Sequence, residues 1–285
     1  MIGQSLRPRG LLAVLFLLLV GLAPLQAVGL KPGERLEYTF SYQGVFSGFI
    51  EIDIARAAFM VAPEMRLIDG RETYQTEVDL STEPFAKAEL IYPIRFRYRS
   101  WLEPAQQTPL LVQEYSQTDE ISEELLWFDH NKRLGFRYVK AHPSAESAAG
   151  PPASVLEPLG VNPAEWSALD EARPQPLGKG EVWDYLSLLY RLRSLELQQG
   201  RLFEIPLYNG KQIKTYRVEV IQERLIRAGW NLPTFKLSLY EMRSGARKGD
   251  SVTSIWISDD EERRPLRFYV ERAVGVVEGI LETGR

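Results

Sequence analysis

Arg95, Arg97 and Arg99 alternate along one short run, Ile94-Arg95-Phe96-Arg97-Tyr98-Arg99. Alternate residues of an extended chain share a face. Three guanidinium groups therefore project from one side, and Phe96 and Tyr98 from the other. Like charges at this spacing repel, so anions must face them. Glu77 and Asp79 alternate on an earlier run and offer cross-strand partners. The arginines otherwise form an anion-contact surface for a lipid headgroup or a polysaccharide. Ion pairing is the default, because it needs nothing beyond the chain itself.

Other residue types bound the chemistry further. Glu51, Asp53, Glu77 and Asp79 stand on strand faces. A glycosidase pair needs two carboxyl groups roughly 5–10 Å apart, a separation that spacing along a chain does not give. Asp259-Asp260-Glu261-Glu262 lacks the alternating ligands and glycine of a calcium loop and reads as a solvated hairpin tip. The two histidines, His130 and His142, fall in an expected turn and at a linker edge, and cysteine is absent. No His-Glu-x-x-His or Gly-x-Ser-x-Gly motif occurs. The expectation is a protein that is not an enzyme and carries no metal or cofactor.

An aromatic set completes the candidates. Tyr38, Phe40, Tyr42, Phe96, Tyr98, Tyr216, Phe235 and Phe268 fall on the expected concave face of a sheet. If a helix fills that sheet, they are core. If it stays hollow, Tyr38, Phe40, Tyr42, Phe96 and Tyr98 line an apolar cavity. Trp256 has the opposite parity from Ile255 and Ile257, so it is either an exposed partner anchor or a residue covered by the linker.

Most of the chain that positions these residues alternates as strands do. Leu36, Tyr38, Phe40 and Tyr42 share one face of 35–43, and Phe46, Gly48, Ile50, Ile52 and Ile54 share one face of 46–54, which predicts a hairpin. Further runs cover 73–81, 94–101, 110–117, 123–128, 136–139, 202–208, 214–223, 234–241, 253–258, 267–272 and 274–281. The segment 142–180 holds Pro143, Pro151, Pro152, Pro158, Pro163, Pro174 and Pro176 and reads as a linker or surface excursion. Within it, Asn162-Pro163-Ala164-Glu165 has a helix-start signature. The clearest helix runs from Tyr185 to Leu195 behind a capping Asp184, with a wide leucine surface that implies burial on more than one side. The predicted fold is mainly β (α+β): a curved antiparallel sheet or open β-barrel wrapping one apolar helix.

The first residues give an address. Arg7 and Arg9 precede an apolar run from Leu11 to Leu22, Pro24 breaks it, and Leu25-Gln26-Ala27 offers a small-residue cleavage site. That order is a secretory signal, too short for a membrane span. Residues 1–27 are expected to be removed. One β-rich domain, 28–285, would remain, with strand-rich halves 28–141 and 181–285 joined by 142–180. A retained anchor is the alternative. No lipidation cysteine follows the site, so the mature protein is expected in the periplasm, not spanning a membrane. Loss of the two arginines takes the formal charge from −4 to −6. That excludes nucleic acid, whose phosphates need a clustered basic surface.

Several pieces in order carry a resemblance. They are Pro32-Gly33-Glu34-Arg35-Leu36-Glu37-Tyr38, Asp184-Tyr185-Leu186-Ser187-Leu188-Leu189-Tyr190-Arg191-Leu192-Arg193, Ala228-Gly229-Trp230, Ile255-Trp256-Ile257-Ser258-Asp259-Asp260 before Pro265, and Gly275 before a last strand. With them the chain resembles the bacterial domain-of-unknown-function family 3108. The resemblance implies an exported β-rich envelope protein of Gram-negative bacteria and no stated activity. More distantly, the architecture is similar to periplasmic carriers that shield lipoprotein acyl chains in an open barrel, a likeness of fold only. Three functions remain. The first is a non-enzymatic binding protein for a lipid, a lipoprotein acyl chain or another hydrophobic ligand. The second is a structural or assembly partner of another envelope protein. The third is an enzyme on cell-wall glycans or lipids.

Overall fold

The computed structural model describes residues 29–140, 150–168, 173–227, 230–243, 246–247 and 252–282. The expected signal at 1–27, His142, Pro143 and Ala228-Gly229 lie outside the described residues. In chain order the first strands are β1 (Arg35–Gly44), β2 (Ile52–Ile68), β3 (Arg71–Ser81), β4 (Arg95–Leu102), β5 (Pro109–Gln117), β6 (Ile121–Asp129) and β7 (Leu134–Lys140). Helix α1 (Ala86–Ile91) links β3 to β4, and α2 (Ala153–Leu156) precedes the short β8 (Trp166–Ala168) and β9 (Gln175–Pro176). Helix α3 (Tyr185–Ser194) leads into β10 (Leu202–Tyr208), β11 (Ile213–Arg227), β12 (Trp230–Arg243), β13 (Ala246–Arg247), β14 (Val252–Ser258), β15 (Pro265–Arg272) and β16 (Gly275–Leu281).

All sixteen strands belong to one antiparallel sheet, and the two meanders meet where β1 pairs with β16. The sheet is open, with β10 and β8 at its ends. Register shifts at Phe40/Ser41, Val61/Met65, Trp101/Leu102 and Trp256/Ile257 mark bulges, which bend a sheet. Curvature brings the ends near each other. The rings of Phe128 and Tyr208 meet edge to face at 5.5 Å across the gap. Gly135 permits this approach, since a Cβ there would lie 2.6 Å from Tyr208 Cε1. The chain from Leu177 to Trp183 runs along the gap. Leu177 N–H donates to Arg133 O on one side, and Trp183 N–H to Pro206 O on the other.

Helix α3 lies on the concave side, with Leu186, Leu188, Leu189, Tyr190 and Leu192 all buried. Apolar residues all round its surface demand that position. Two polar fastenings hold it. At its start, Asp184 Oδ1 accepts from the N–H groups of Leu186 (2.7 Å) and Ser187 (3.2 Å), and Asp184 Oδ2 accepts from Ser100 Oγ of β4 at 2.7 Å. At its end, the fully buried Arg193 donates to Glu34 at 2.6 and 2.8 Å and to the carbonyls of Arg263 and Glu262.

Three expectations need correction. The strand expected over 46–54 begins only at Ile52. Residues 45–47 form a 3₁₀ turn and Phe49 takes a left-handed backbone (φ 64°), which breaks the alternation. Asn162 does cap, accepting from Ala164 N–H at 3.1 Å, but it starts a single 3₁₀ turn. Pairing of Ser167 with Val139 then draws the chain into β8. The Pro-rich segment is not a free linker, because Val155, Leu156 and Trp166 bury against Trp101, Leu111 and Trp127 on the outer face of the sheet.

The two fastenings should carry measurable stability. Glu34→Ala strands a buried guanidinium and is expected to cost about 3 kcal/mol. Asp184→Ala removes a cap and the Ser100 bond, at about 2 kcal/mol. Urea denaturation checks both, and losses below about 0.5 kcal/mol would show that the helix is held by something else.

Candidate functional site

The helix is too short to fill the concave side. Its ten residues span about 15 Å, while even the eight-residue β4 spans about 26 Å. Arg193 fixes its C-terminus at the end of the sheet where β1 and β15 begin. The space left over lies toward the other end, where β4 and β14 begin. There a cavity of about 430 Å³ is lined by Phe59, Val78, Phe96, Tyr98, Glu114, Tyr185, Leu186, Leu188, Leu189, Leu239, Thr253, Ile255 and Phe268. The size falls within the range usual for small-molecule pockets, and so does a largely apolar lining with few polar groups.

Sheet register builds one wall. Phe59, Val78, Tyr98 and Glu114 stand side by side on β2 to β5, with Glu124 next on β6. Glu124 is held by Arg137, whose Nε donates to Oε2 at 2.8 Å. Burial pushes the Glu114 carboxyl above its ordinary value of 4.5, Glu124 adds to the rise and Arg137 opposes it. Burial likewise holds the Tyr98 hydroxyl well above its ordinary value, with Asp184 and Glu114 adding to it. Tyr98 thus stays neutral beside the carboxyl group. The arrangement can hold an apolar chain and offer one carboxyl group to its head.

The expected lining divides. Phe96 and Tyr98 line the cavity. Tyr38 does not; it is fully buried behind Phe59 and Phe268 and donates to Pro265 O at 2.6 Å. Phe40 covers Gly279, where a Cβ would come within 2.5 Å of its ring. Tyr42 donates to Val274 O at 2.6 Å beside the β15–β16 turn. Tyr38 and Phe40 share the expected face but lie against the rings of Phe59 and Phe268, which line the cavity in their place. Of the rest of the aromatic set, Phe268 joins the lining, while Tyr216 and Phe235 pack in the main core.

All three arginines of β4 have carboxylate partners. Arg95 pairs with Glu89 at 2.9 Å, Arg97 with Asp79 at 2.9 Å, and Arg99 with Glu77 at 2.8 Å. The ladder is the ion-paired one, on the outer face. Glu51 accepts from Ser41 and Arg227, and these hydrogen bonds hold its carboxyl low. None of Glu51, Asp53, Glu77 and Asp79 lines the cavity.

Other candidates take structural places. His130 Nε2 bonds Pro109 O at 2.8 Å. Burial pushes the Asp260 carboxyl up, but hydrogen bonds from Ser258 and from the N–H groups of Arg263 and Glu262 outweigh it and hold the group low. The acidic turn is therefore tied to its own backbone, and no metal-binding cluster occurs among the described residues. Trp256 is neither an exposed partner anchor nor covered by the described part of the Pro-rich segment; it packs with Leu225 of β11 and Leu266. It is buried, flanked by the guanidinium of Arg267 at 4.3 Å, and its Nε1 donates to Glu223 at 2.6 Å.

Sequence reasoning passed over Glu114. Its signal was parity: it shares a face with Val112 and Ser116 in a run that opens Leu110-Leu111-Val112. The apolar turns near the cavity were also missed. The turns at the cavity's end of the sheet expose Phe46 (81%), Phe49, Ile50, Leu90 (87%), Ile91, Ile121 and Val274. A bulky residue with positive φ, as at Phe49, is unusual and costs energy. Turns at the opposite end carry Asp69-Gly70, His130 to Arg133, and Asp259 to Arg264, with Leu67 and Ile226 exposed beside the β2–β3 and β11–β12 turns.

Fold and cavity together define a β-barrel-like protein whose open sheet is partly filled by its own helix. A crystal structure of a beta-barrel-like protein of domain of unknown function DUF1849 from Brucella abortus is similar, with a TM-score of 0.51 at 8% identity, covering 90% of this chain and 98% of that one. At that identity the likeness concerns the fold. Residues 167–282 match the model of DUF3108, a protein of unknown function. The match includes α3 and β10 to β16, and leaves Pro32 to Tyr38 outside. None of the curated proteins compared with the chain matches it. Among the described residues no helix is long and apolar enough to cross a membrane.

The raised Glu114 carboxyl has a sign that can be checked. The folded state holds this proton more tightly than the unfolded chain, so its effect on stability worsens as pH rises through the raised value. Glu114→Gln should therefore be more stable than the parent at pH 7, with the gap closing as pH falls through the raised value toward 4.5. Thermal melts across pH 4–7.5 decide it; a variant less stable at pH 7 would mean that the carboxylate has a stabilising partner.

Proposed function

We propose that the protein is a non-enzymatic binding protein of the periplasm that holds the apolar chain of a lipid or another amphipathic envelope molecule. The cavity carries this reading: about 430 Å³, apolar apart from Tyr98, Glu114, Tyr185 and Thr253, and lying toward the end of the sheet whose turns expose Phe46, Phe49, Ile50 and Leu90. Water in such a space gains few hydrogen bonds, and each buried methylene group contributes about 0.8 kcal/mol. The exposed turns also favour a second reading, in which the same end docks on another envelope protein, because several large apolar side chains left in solvent at one end are a feature of interaction sites.

Filling the cavity tests the first reading. Phe96→Trp narrows the space above Leu189 without touching the fastenings of α3. It should weaken binding of the fluorescent apolar probe N-phenyl-1-naphthylamine about tenfold, which is ~1.4 kcal/mol, with an unchanged circular dichroism spectrum. Equal binding by the folded variant, or no saturable binding by the parent, would point to the docking reading.

A further inference from the structure

The register row that walls the cavity changes character along its length. Phe59, Val78 and Tyr98 are apolar or neutral; Glu114 and Glu124 are acidic. The two carboxylates differ in what holds them. Glu124 is neutralised by Arg137, through Nε at 2.8 Å and a second bond from Nη2. Glu114 has Glu124 and Arg137 as electrostatic neighbours, and no side chain among the described residues hydrogen-bonds it. The described lining contains no lysine or arginine. An ionised carboxylate half-buried among apolar groups is costly unless something pairs with it.

We propose that Glu114 reads the polar head of the bound molecule, and that this molecule is an apolar chain ending in a protonated amine. The inference rests on the cavity-binding reading above. An ammonium group at the end of a chain lying against Leu186, Leu189 and Phe268 would give Glu114 a charge-assisted hydrogen bond, the strong kind. A fatty carboxylate in the same place would face Glu114 and Glu124 together. The one nearby guanidinium, Arg137, is already committed to Glu124. A fatty alcohol could donate a hydrogen bond but would leave the charge of Glu114 uncompensated. Selectivity then follows from charge at one atom pair, while affinity follows from the apolar lining.

The experiment compares three probes with one chain length, dodecylamine, dodecanol and dodecanoate. Each is titrated calorimetrically into the full chain at neutral pH, below its micelle concentration. The amine should bind at least about tenfold more tightly than either other probe. In Glu114→Gln that preference should shrink to about twofold or less, and Glu114→Asp should retain part of it. Dodecanoate or dodecanol binding as tightly as the amine would overturn the proposal, as would a preference that survives in Glu114→Gln. The comparison on the parent decides even if a variant fails to fold. Binding of all three without preference removes only the role of Glu114. Binding of none removes the cavity reading on which it rests.

Discussion

The structure depends on one constraint: a helix apolar on nearly every side must be kept inside a sheet that does not close. Leucine burial alone would let α3 slide or rotate, because apolar contact has no direction. The polar fastenings supply direction. Asp184 ties the first turn to β4 through Ser100, and Arg193 ties the last turn to Glu34 just before β1. Each is buried, so each is costly when left half-made. Together they set the depth of the helix, and that depth determines how much of the concave side stays empty.

The remaining structure can be understood as covering what an open sheet leaves exposed. The Pro-rich segment lays Val155, Leu156 and Trp166 on the outer face over β4 to β7. The long β11–β12 hairpin brings Leu225 against Trp256 and Leu266 on the other half, with Arg267 stacked on the indole. The arginines of β4 balance Glu77, Asp79 and Glu89 on the outer side. The turns near the cavity keep Phe46, Phe49, Ile50 and Leu90 in solvent, with Phe49 in a left-handed backbone, although Leu67 and Ile226 are also exposed at the opposite end. Uncovered apolar surface beside an unfilled apolar cavity is the contrast on which the functional reading is built.

Local rules made much of this legible. Alternation placed Phe96 and Tyr98 opposite Arg95, Arg97 and Arg99, and the side-chain period of two made Glu77 and Asp79 their natural cross-strand partners. The capping aspartate and the leucine run marked α3 to within one residue. What stayed hidden depends on distant parts of the chain. Pairing of β1 with β16 joins residues more than two hundred positions apart, and it brings β15 near enough for Phe268 to lie against Tyr38 and Phe40. No local pattern shows how far a helix reaches along a sheet, so filled and hollow cores look alike in sequence. Glu114 was hidden for a related reason: its meaning comes from the row Phe59, Val78 and Tyr98 beside it, which exists only once four strands are in register.

The central claim is that the space above α3 holds an apolar ligand. Native mass spectrometry of gently purified protein, followed by organic extraction, tests it most directly. The account predicts a bound species of defined mass at near one-to-one stoichiometry, released into the organic phase and smaller in amount when Phe96 is replaced by tryptophan. A folded protein of bare polypeptide mass, which also takes up no amphiphile when one is offered, would contradict it.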